Sequence, residues 1–516
     1  MRCTTPARAR AGTLSHTTNR QKAELVCKMM RYALISVVLM SFFYICGCNL
    51  ISPDPAAVMP VEIPDNYVHG DGIDDTPRPG NENNAGGWWQ RFGVDELSEM
   101  IRTGLGDNYD LKVLKAEADQ ALADVKSEKS GLGPSLDYSL GGQQTYSQSK
   151  SKGRSATSDH GHTYSASLDA EYTLDLWGKT RAEVSAAELE YLAALQDLED
   201  GALTLSTDIA DTWVDLVSVR TRKAVLSRQI DANQMTLKLQ ELRFINGKAT
   251  ALDVSQQREA LAQVLSAMPL LEKEEKQLVN AMGLYLGQTP GTPVAVAATD
   301  LPQTFLAPQP GIPADLLENR PDIRAARMRL EAAVQDVESA KADMFPDLAL
   351  SGSAAFSSGS LDLLFQNWVV TLGAALAGPL FDAGERKAEI ERTRAVVQET
   401  LNTYAQTVAN AICEVEDALV AIDRQSAYIE LLEQQLAAVK VTLQDARVQY
   451  LNGQSSYLNY LDAWASMESL ERQLVSEKAT YVKERIALYK VTSWRGTFFK
   501  KTLTKTPRHK DFYSTL

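Results

Sequence analysis

The spacing of apolar residues divides this chain into elements. From about Asp95 to Lys129 they recur at helical intervals, and Gly131, Gly133 and Pro134 end the pattern. The period then shortens to two. Tyr164, Ala166, Leu168, Ala170, Tyr172 and Leu174 alternate with Ser165, Ser167, Asp169, Glu171 and Thr173, which predicts a strand with one apolar and one polar face. Leu136, Tyr138 and Leu140 begin a weaker version of the same pattern, while Ser147 to His162 is rich in Ser, Lys and Gly and reads as a loop. Residues 136–175 therefore predict a β-hairpin. A helical stretch follows over 179–242, with no Pro and with Gly201 as its one glycine. At 1.5 Å per residue it spans about 95 Å. Asn246-Gly247 breaks it, Thr250 and Asp253 offer a capping box, and a further helix runs to about Leu286 with a kink expected at Pro269.

The second half repeats the first. A Pro-rich linker over 301–313 leads to a helix over 315–343 that Phe345-Pro346 stops. Leu348, Leu350 and Phe356 alternate with polar or small residues, and Trp368, Val370, Leu372, Ala374 and Leu376 with Val369, Thr371, Gly373, Ala375 and Ala377. Residues 365–381 are mostly apolar, but Asn367, Gly373, Gly378 and Pro379 argue against a membrane helix. A long helical run starts after Gly384, breaks at Asn452-Gly453 and resumes to about Tyr489. Gly178 and Gly384 stand 206 residues apart, as do the two Asn-Gly pairs and Asp211 and Asp417. The apolar stripe Val397, Leu401, Tyr404, Val408, Ile412, Val415, Leu419, Ile422 maps by that offset onto Tyr191, Leu195, Leu198, Ala202, Ser206, Ile209, Trp213, Leu216. Steps of three and four predict a coiled-coil seam, and the shared offset predicts a duplicated unit.

Composition adds an address. Residues 32–46 form one apolar run after Lys28 and Arg31, too short to span a bilayer but suited to a signal-peptide core. It ends in Ile45-Cys46-Gly47-Cys48, which resembles the bacterial lipobox and makes Cys48 the candidate acylated residue. The alternative is an ordinary signal peptide with a chance cysteine. Residues 1–47 are thus expected to be removed. Met29 or Met30 would serve as a normal start, which would make residues 1–28 an extension. Residues 48–94 are expected to form a tether, 95–300 the first repeat, 301–490 the second, and 491–516 a basic tail. Net charge is −14; without the first 47 residues, 45 basic residues face 65 acidic ones, or −20. That excludes a nucleic-acid partner, which needs a basic face. Of five cysteines, four precede residue 49, so the body holds no disulfide framework or zinc spacing. His160-Gly161-His162 lacks a third ligand nearby, and no Gly-rich phosphate loop or Ser/His/Asp arrangement is present, so no cofactor and no enzymatic role is expected.

Each half supplies one hairpin whose apolar face can meet lipid. Four strands cannot close a barrel, and open edges are not tolerated in lipid. Three chains would pool twelve strands, an even number in the outer-membrane range. The fold class expected is an α+β membrane protein: a duplicated unit whose trimer forms a twelve-stranded barrel continued by a helical barrel.

Motifs along residues 88–490 sharpen this. They are Trp88-Trp89-Gln90-Arg91-Phe92, Ser130-Gly131-Leu132-Gly133-Pro134-Ser135, Leu174-Asp175-Leu176-Trp177-Gly178-Lys179 and Met268-Pro269-Leu270-Leu271-Glu272, with Leu284-Tyr285-Leu286-Gly287. Asn319-Arg320-Pro321-Asp322-Ile323-Arg324-Ala325-Ala326 and Pro379-Leu380-Phe381-Asp382-Ala383-Gly384 complete the set. With them the chain resembles the TolC-like outer membrane factors, in particular the NodT-type lipoprotein branch that serves RND efflux systems. The resemblance implies a homotrimeric, lipid-anchored duct in the outer membrane that reaches into the periplasm. It also implies a periplasmic adaptor and an inner-membrane pump as partners. It places Asn246, Gly247, Asn452 and Gly453 at the periplasmic tips. Near them stand Glu241 and Arg243 in the first half and Asp445 and Arg447 in the second, candidate charges for holding an aperture closed; Arg447 occupies the position equivalent to Glu241. A lipid-anchored periplasmic coiled-coil scaffold is the competing class, but it would have one helical hairpin and no lipid-facing strands.

Overall fold

Two long helical hairpins and one four-stranded sheet make up a computed structural model that describes residues 63–69, 87–149, 152, 157–292, 296–298, 301–302 and 313–492. Cys48, the leader, most of the expected tether and all but two residues of the expected tail lie outside the described residues. After a 3-10 turn, Trp88–Phe92, come α1 (Asp95–Asp107), α2 (Tyr109–Ser130), β1 (Ser135–Ser149), β2 (Thr157–Leu174), α3 (Lys179–Ile245) and α4 (Ala251–Tyr285). Then follow α5 (Asp315–Asn319), α6 (Pro321–Ala342), β3 (Asp347–Ser358), β4 (Trp368–Ala377), α7 (Glu385–Leu451) and α8 (Tyr457–Val491), with a second 3-10 turn, Leu361–Gln366, between β3 and β4.

The two halves match element for element. α3 and α7 have 67 residues each, α4 and α8 have 35 each, and both pairs begin and end 206 residues apart. Before the hairpins the offset is 212, because α2 and α6, 22 residues each, start at 109 and 321. The second hairpin is therefore six residues shorter than the first. The predicted stripe is the buried face. Leu401, Tyr404, Val408, Val415, Leu419 and Ile422 are buried on α7, and Leu198, Ala202, Ser206, Ile209, Trp213 and Leu216 on α3. One core gathers Trp88, Phe92, Leu97, Ile101, Ile209, Trp213 and Tyr489; a second gathers Tyr67, Leu316, Ile323, Tyr404, Val408 and Leu488. The indole of Trp88 stacks on Tyr489 and donates to Ser206 Oγ at 3.0 Å.

Sequence periodicity misses some breaks. The helix expected over 95–129 is two helices, because Asn108 caps the second: its Oδ1 accepts from the N–H groups of Asp110 and Leu111 at 2.8 and 3.1 Å. The helix expected over 315–343 is broken at Arg320, because Pro321 has no N–H and takes the first helical position. The loop expected from Ser147 to His162 is partly strand, since β1 and β2 pair out to Ser149 and Thr157. Backbone pairing continues there although side-chain alternation has ended.

The sheet is antiparallel in the order β1-β2-β3-β4. Its register puts Tyr138, Leu168, Ala354 and Val370 in one row, with Leu136, Ala170, Gly352 and Leu372 in the next. Tyr172, Leu350 and Ala374, then Leu174, Leu348 and Leu376, continue the same face downward. The opposite face carries Asp137, Asp169, Ser353 and Thr371 in one row and Ser135, Glu171, Ser351 and Gly373 in another. An apolar face four strands wide is exposed on the protomer; Leu372 is 84% exposed. No helix among the described residues is long and apolar enough to cross a membrane.

Candidate functional site: the helical tips and the seam behind them

The far ends of both helical hairpins are built alike. In the first, Gly247 takes φ +66°, its N–H bonds Phe244 O at 2.9 Å, and the Lys248 N–H bonds Arg243 O at 2.8 Å. In the second, Gly453 takes φ +72°, its N–H bonds Tyr450 O at 3.1 Å, and the Gln454 N–H bonds Gln449 O at 2.8 Å. Both are Schellman stops, in which a left-handed residue lets two amides satisfy the last carbonyls of the helix. Glycine is needed there because a Cβ would strain the left-handed backbone. Asn246 and Asn452 are the residues just before, and Asn246 Nδ2 bonds Leu242 O at 2.7 Å. The next helix starts cleanly only in the first copy, where Thr250 and Asp253 form the expected capping box at 3.1 and 2.8 Å.

The four charges flanking the tips differ in setting. Glu241 is half-buried and pairs with Arg258 of α4 at 2.8 Å. Arg243 lies over the Tyr450 ring, 4.9 Å from its centroid, and donates to Lys248 O. Asp445 and Arg447 are exposed on α7. Among the described residues no ion pair joins Glu241 or Arg243 to Asp445 or Arg447; within one protomer, of these four charges, Arg243 meets the other hairpin, through the Tyr450 ring.

Hydrogen bonds between other side chains join the hairpins. Tyr450 Oη donates to Gln240 Oε1 at 3.0 Å, and buried Tyr457 hydrogen-bonds Gln257 Oε1. Deeper in the seam Asn233 Nδ2 donates to Glu468 Oε1 at 2.7 Å, Gln257 Nε2 to Asn233 Oδ1 at 2.9 Å, and Trp464 Nε1 to Glu468 Oε1 at 2.6 Å. Gln229 Nε2 reaches Glu468 O at 3.1 Å, and Arg472 donates to Gln229. Burial raises the Glu468 carboxyl above its usual range, and the donors from Trp464 and Asn233 pull it partly back. This ladder escaped the sequence analysis. Its signal was there: at the equivalent positions in the other copy stand Val439 for Asn233, Ala463 for Gln257 and Ala262 for Glu468. At each of these positions only one copy carries the polar residue, the first at Asn233 and Gln257 and the second at Glu468.

Near the middle of α7 the motif at Asn319–Asp322 becomes a junction. Arg320 is buried; its Nε and Nη2 grip Asp322 at 3.0 and 2.7 Å, and Nη1 reaches Glu414 of α7 at 2.8 Å. Burial alone would lower the guanidinium pKa, but Asp322 and Glu414 raise it further. His160 and His162 both lie on β2, with His160 edge-on to Tyr146.

The family profile for outer membrane efflux proteins matches residues 100–288 and 312–493. The pyoverdine export outer membrane protein OpmQ of Pseudomonas aeruginosa is 29% identical over 411 residues, covering 78% of this chain and 86% of that protein. Nodulation protein T of Rhizobium leguminosarum bv. trifolii is 27% identical over 410 residues, with the same coverage of 78% and 86%. Among solved structures, the outer-membrane channel OprN superposes with a TM-score of 0.76 at 24% identity, covering 86% of this chain and 99% of that one. The outer membrane protein VceC of Vibrio cholerae gives 0.72 at 26% identity, covering 79% and 98%. A profile that matches both halves of the chain, on a fold shared with solved outer-membrane channels, places this chain in the outer membrane efflux protein family of TolC-like outer membrane factors, located in the outer membrane.

Proposed function

We propose that three copies of this chain assemble into a passive duct that carries substrates out of the cell, delivered by an inner-membrane pump through a periplasmic adaptor. One observation carries the reading. A sheet with a continuous apolar face and two open edges runs directly into two helical hairpins of identical length. In lipid the free edges of β1 and β4 must pair with other strands, and twelve strands from three chains close a barrel. The same three copies supply twelve helical arms for the periplasmic tube. The polar face of each sheet then lines the lumen, rich in Ser, Thr and Gly. No bond is made or broken by the duct; the pump supplies the energy. The division into a first repeat over 95–300 and a second over 301–490 belongs to this reading.

Asn246-Gly247 and Asn452-Gly453 then stand at the periplasmic aperture, where the adaptor docks. Glu241, Arg243, Asp445 and Arg447 act across protomer boundaries, since they do not pair between hairpins within one. Cys48 carries the acyl anchor in the outer membrane.

Conductance of the purified complex in planar bilayers tests the duct, with a particle mass of three chains expected. A mature chain that stays a soluble monomer without detergent overturns it. Charge reversal at Arg447 is expected to raise the conductance of the closed channel; unchanged conductance and drug sensitivity remove the aperture role. In Cys48→Ser, labelled fatty acid is no longer incorporated, and retained labelling refutes the site.

A further inference from the structure

The two hairpins end differently at the side away from the helices. In the first copy the sequence joining the strands, residues 150–156, is polar, with Lys150, Lys152 and Arg154. In the second copy the hairpin is six residues shorter, and the 3-10 turn Leu361–Gln366 takes the place of that polar end. Leu361, Leu363 and Phe365 are 64%, 42% and 69% exposed, while Leu364 is buried. Three large apolar side chains on six residues facing water need a partner.

The turn does not project from the sheet. It packs on β2 and β3. The Phe365 ring meets Phe356 edge-on, with centroids 5.3 Å apart. Phe356 lies opposite Trp368 on one side and Ala166 on the other, on the apolar face of the sheet. Ala166 is the one buried strand residue among those described, as expected where something folds over it. The turn thus continues the apolar face and leaves the polar face open. Its height fits as well. Phe356 lies nine residues above Asp347 in β3; at ~3.4 Å per residue and a tilt of ~40° that is roughly 23 Å, close to the top of a ~25 Å apolar band. Aromatic residues gather at that level in membrane barrels because their rings suit the headgroup boundary.

We infer that the turn Leu361–Gln366 is a membrane-seating element that inserts Leu361, Leu363 and Phe365 among the acyl chains of the outer leaflet, just below the headgroups. Phe365, Phe356 and Trp368 form the upper aromatic girdle on this side of each protomer. Asp362, the turn's one charge, stays exposed at headgroup level. The inference rests on the apolar sheet face meeting lipid, as proposed above.

The test reconstitutes the full complex in phosphatidylcholine vesicles with a fraction of bromine-bearing acyl chains. A polarity-sensitive fluorophore is placed at Leu363→Cys in a Cys413→Ser background. Leu372→Cys on the apolar face and Thr371→Cys on the polar face serve as references. The label at 363 is expected to be quenched several-fold more by bromolipid than by aqueous iodide, like 372 and unlike 371. If 372 is lipid-quenched but 363 answers to iodide, the turn stands in water, over the mouth or under a partner protein, and the seating role is refuted. If 372 answers to iodide, the barrel reading fails and the seating role falls with it. Leu363→Asp gives a second readout: a lower melting temperature in vesicles with unchanged conductance supports seating, whereas increased conductance shows a plug at the mouth and overturns it.

Discussion

Arg320 shows how one residue can hold an architecture. A guanidinium presents a rigid fork of donors, and here the fork joins the start of α6 to α7 through Asp322 and Glu414. Arg320→Ala leaves both carboxylates without their cation, so a loss of about 2–3 kcal/mol is expected, less than a fully buried pair would lose because Glu414 keeps water. Thermal unfolding of the purified complex measures it. Arg320→Lys recovers under half, since one ammonium cannot serve both acids in the same geometry. Asp211 is a different case. Burial pushes its carboxyl up to about 7, with Lys483 and Lys490 opposing and Asp215 and Asp208 adding to the rise, and its Oδ1 is buried without a hydrogen bond. A carboxyl whose folded pKa is raised contributes stability in full below the ordinary aspartate pKa and loses it as pH rises towards 7. Asp211→Asn removes that dependence. Melting curves are expected to coincide with the parent below about pH 3.8 and to exceed it at pH 8 by on the order of 1–2 kcal/mol, allowing for the water the group retains.

At the scale of elements the long helices divide their tasks. Apolar stripes hold each hairpin, while the polar ladder through Asn233, Gln257 and Glu468 ties α3 and α4 of one copy to α8 of the other. A buried polar group costs most when its partner is removed. Glu468→Ala leaves the Asn233 and Trp464 donors unpaired, with an expected local loss of about 1–3 kcal/mol. Hydrogen exchange reads it as faster amides in α3 and α8 around this level and unchanged protection in the strands. Glu468→Gln keeps an acceptor and restores most of the protection. At the tips Gly247→Ala and Gly453→Ala each cost about 1 kcal/mol through the left-handed backbone, without altering packing elsewhere. Exchange limited to the last turn of α3 or α7 is the expected signature, and a spread along the helix would contradict it.

For the whole molecule, the sequence by itself determined the duplication, the two classes of element and the apolar side of every strand. These follow from local rules: a period of two or of three and a half, and glycines where the backbone turns left-handed. The offset of 206 recurs in the structure as equal helix boundaries. The Asn-Gly stops were legible for the same reason, because a Schellman turn needs only its own six residues. Tertiary structure decided what depends on residues far apart. Asn108 ends one helix and caps the next while its Nδ2 donates to Tyr285 O, 177 positions on, and no local pattern reports that bond. Glu241 could have met Arg447 by charge alone; in the folded chain Arg258 is nearer and takes it. The 3-10 turn at Leu361 was likewise invisible to periodicity, because six residues are too few to show one. Where it lies depends on a ring packing against Phe356 from outside the strand. Periodicity reports which side of an element is apolar; only the packed chain decides what that side meets.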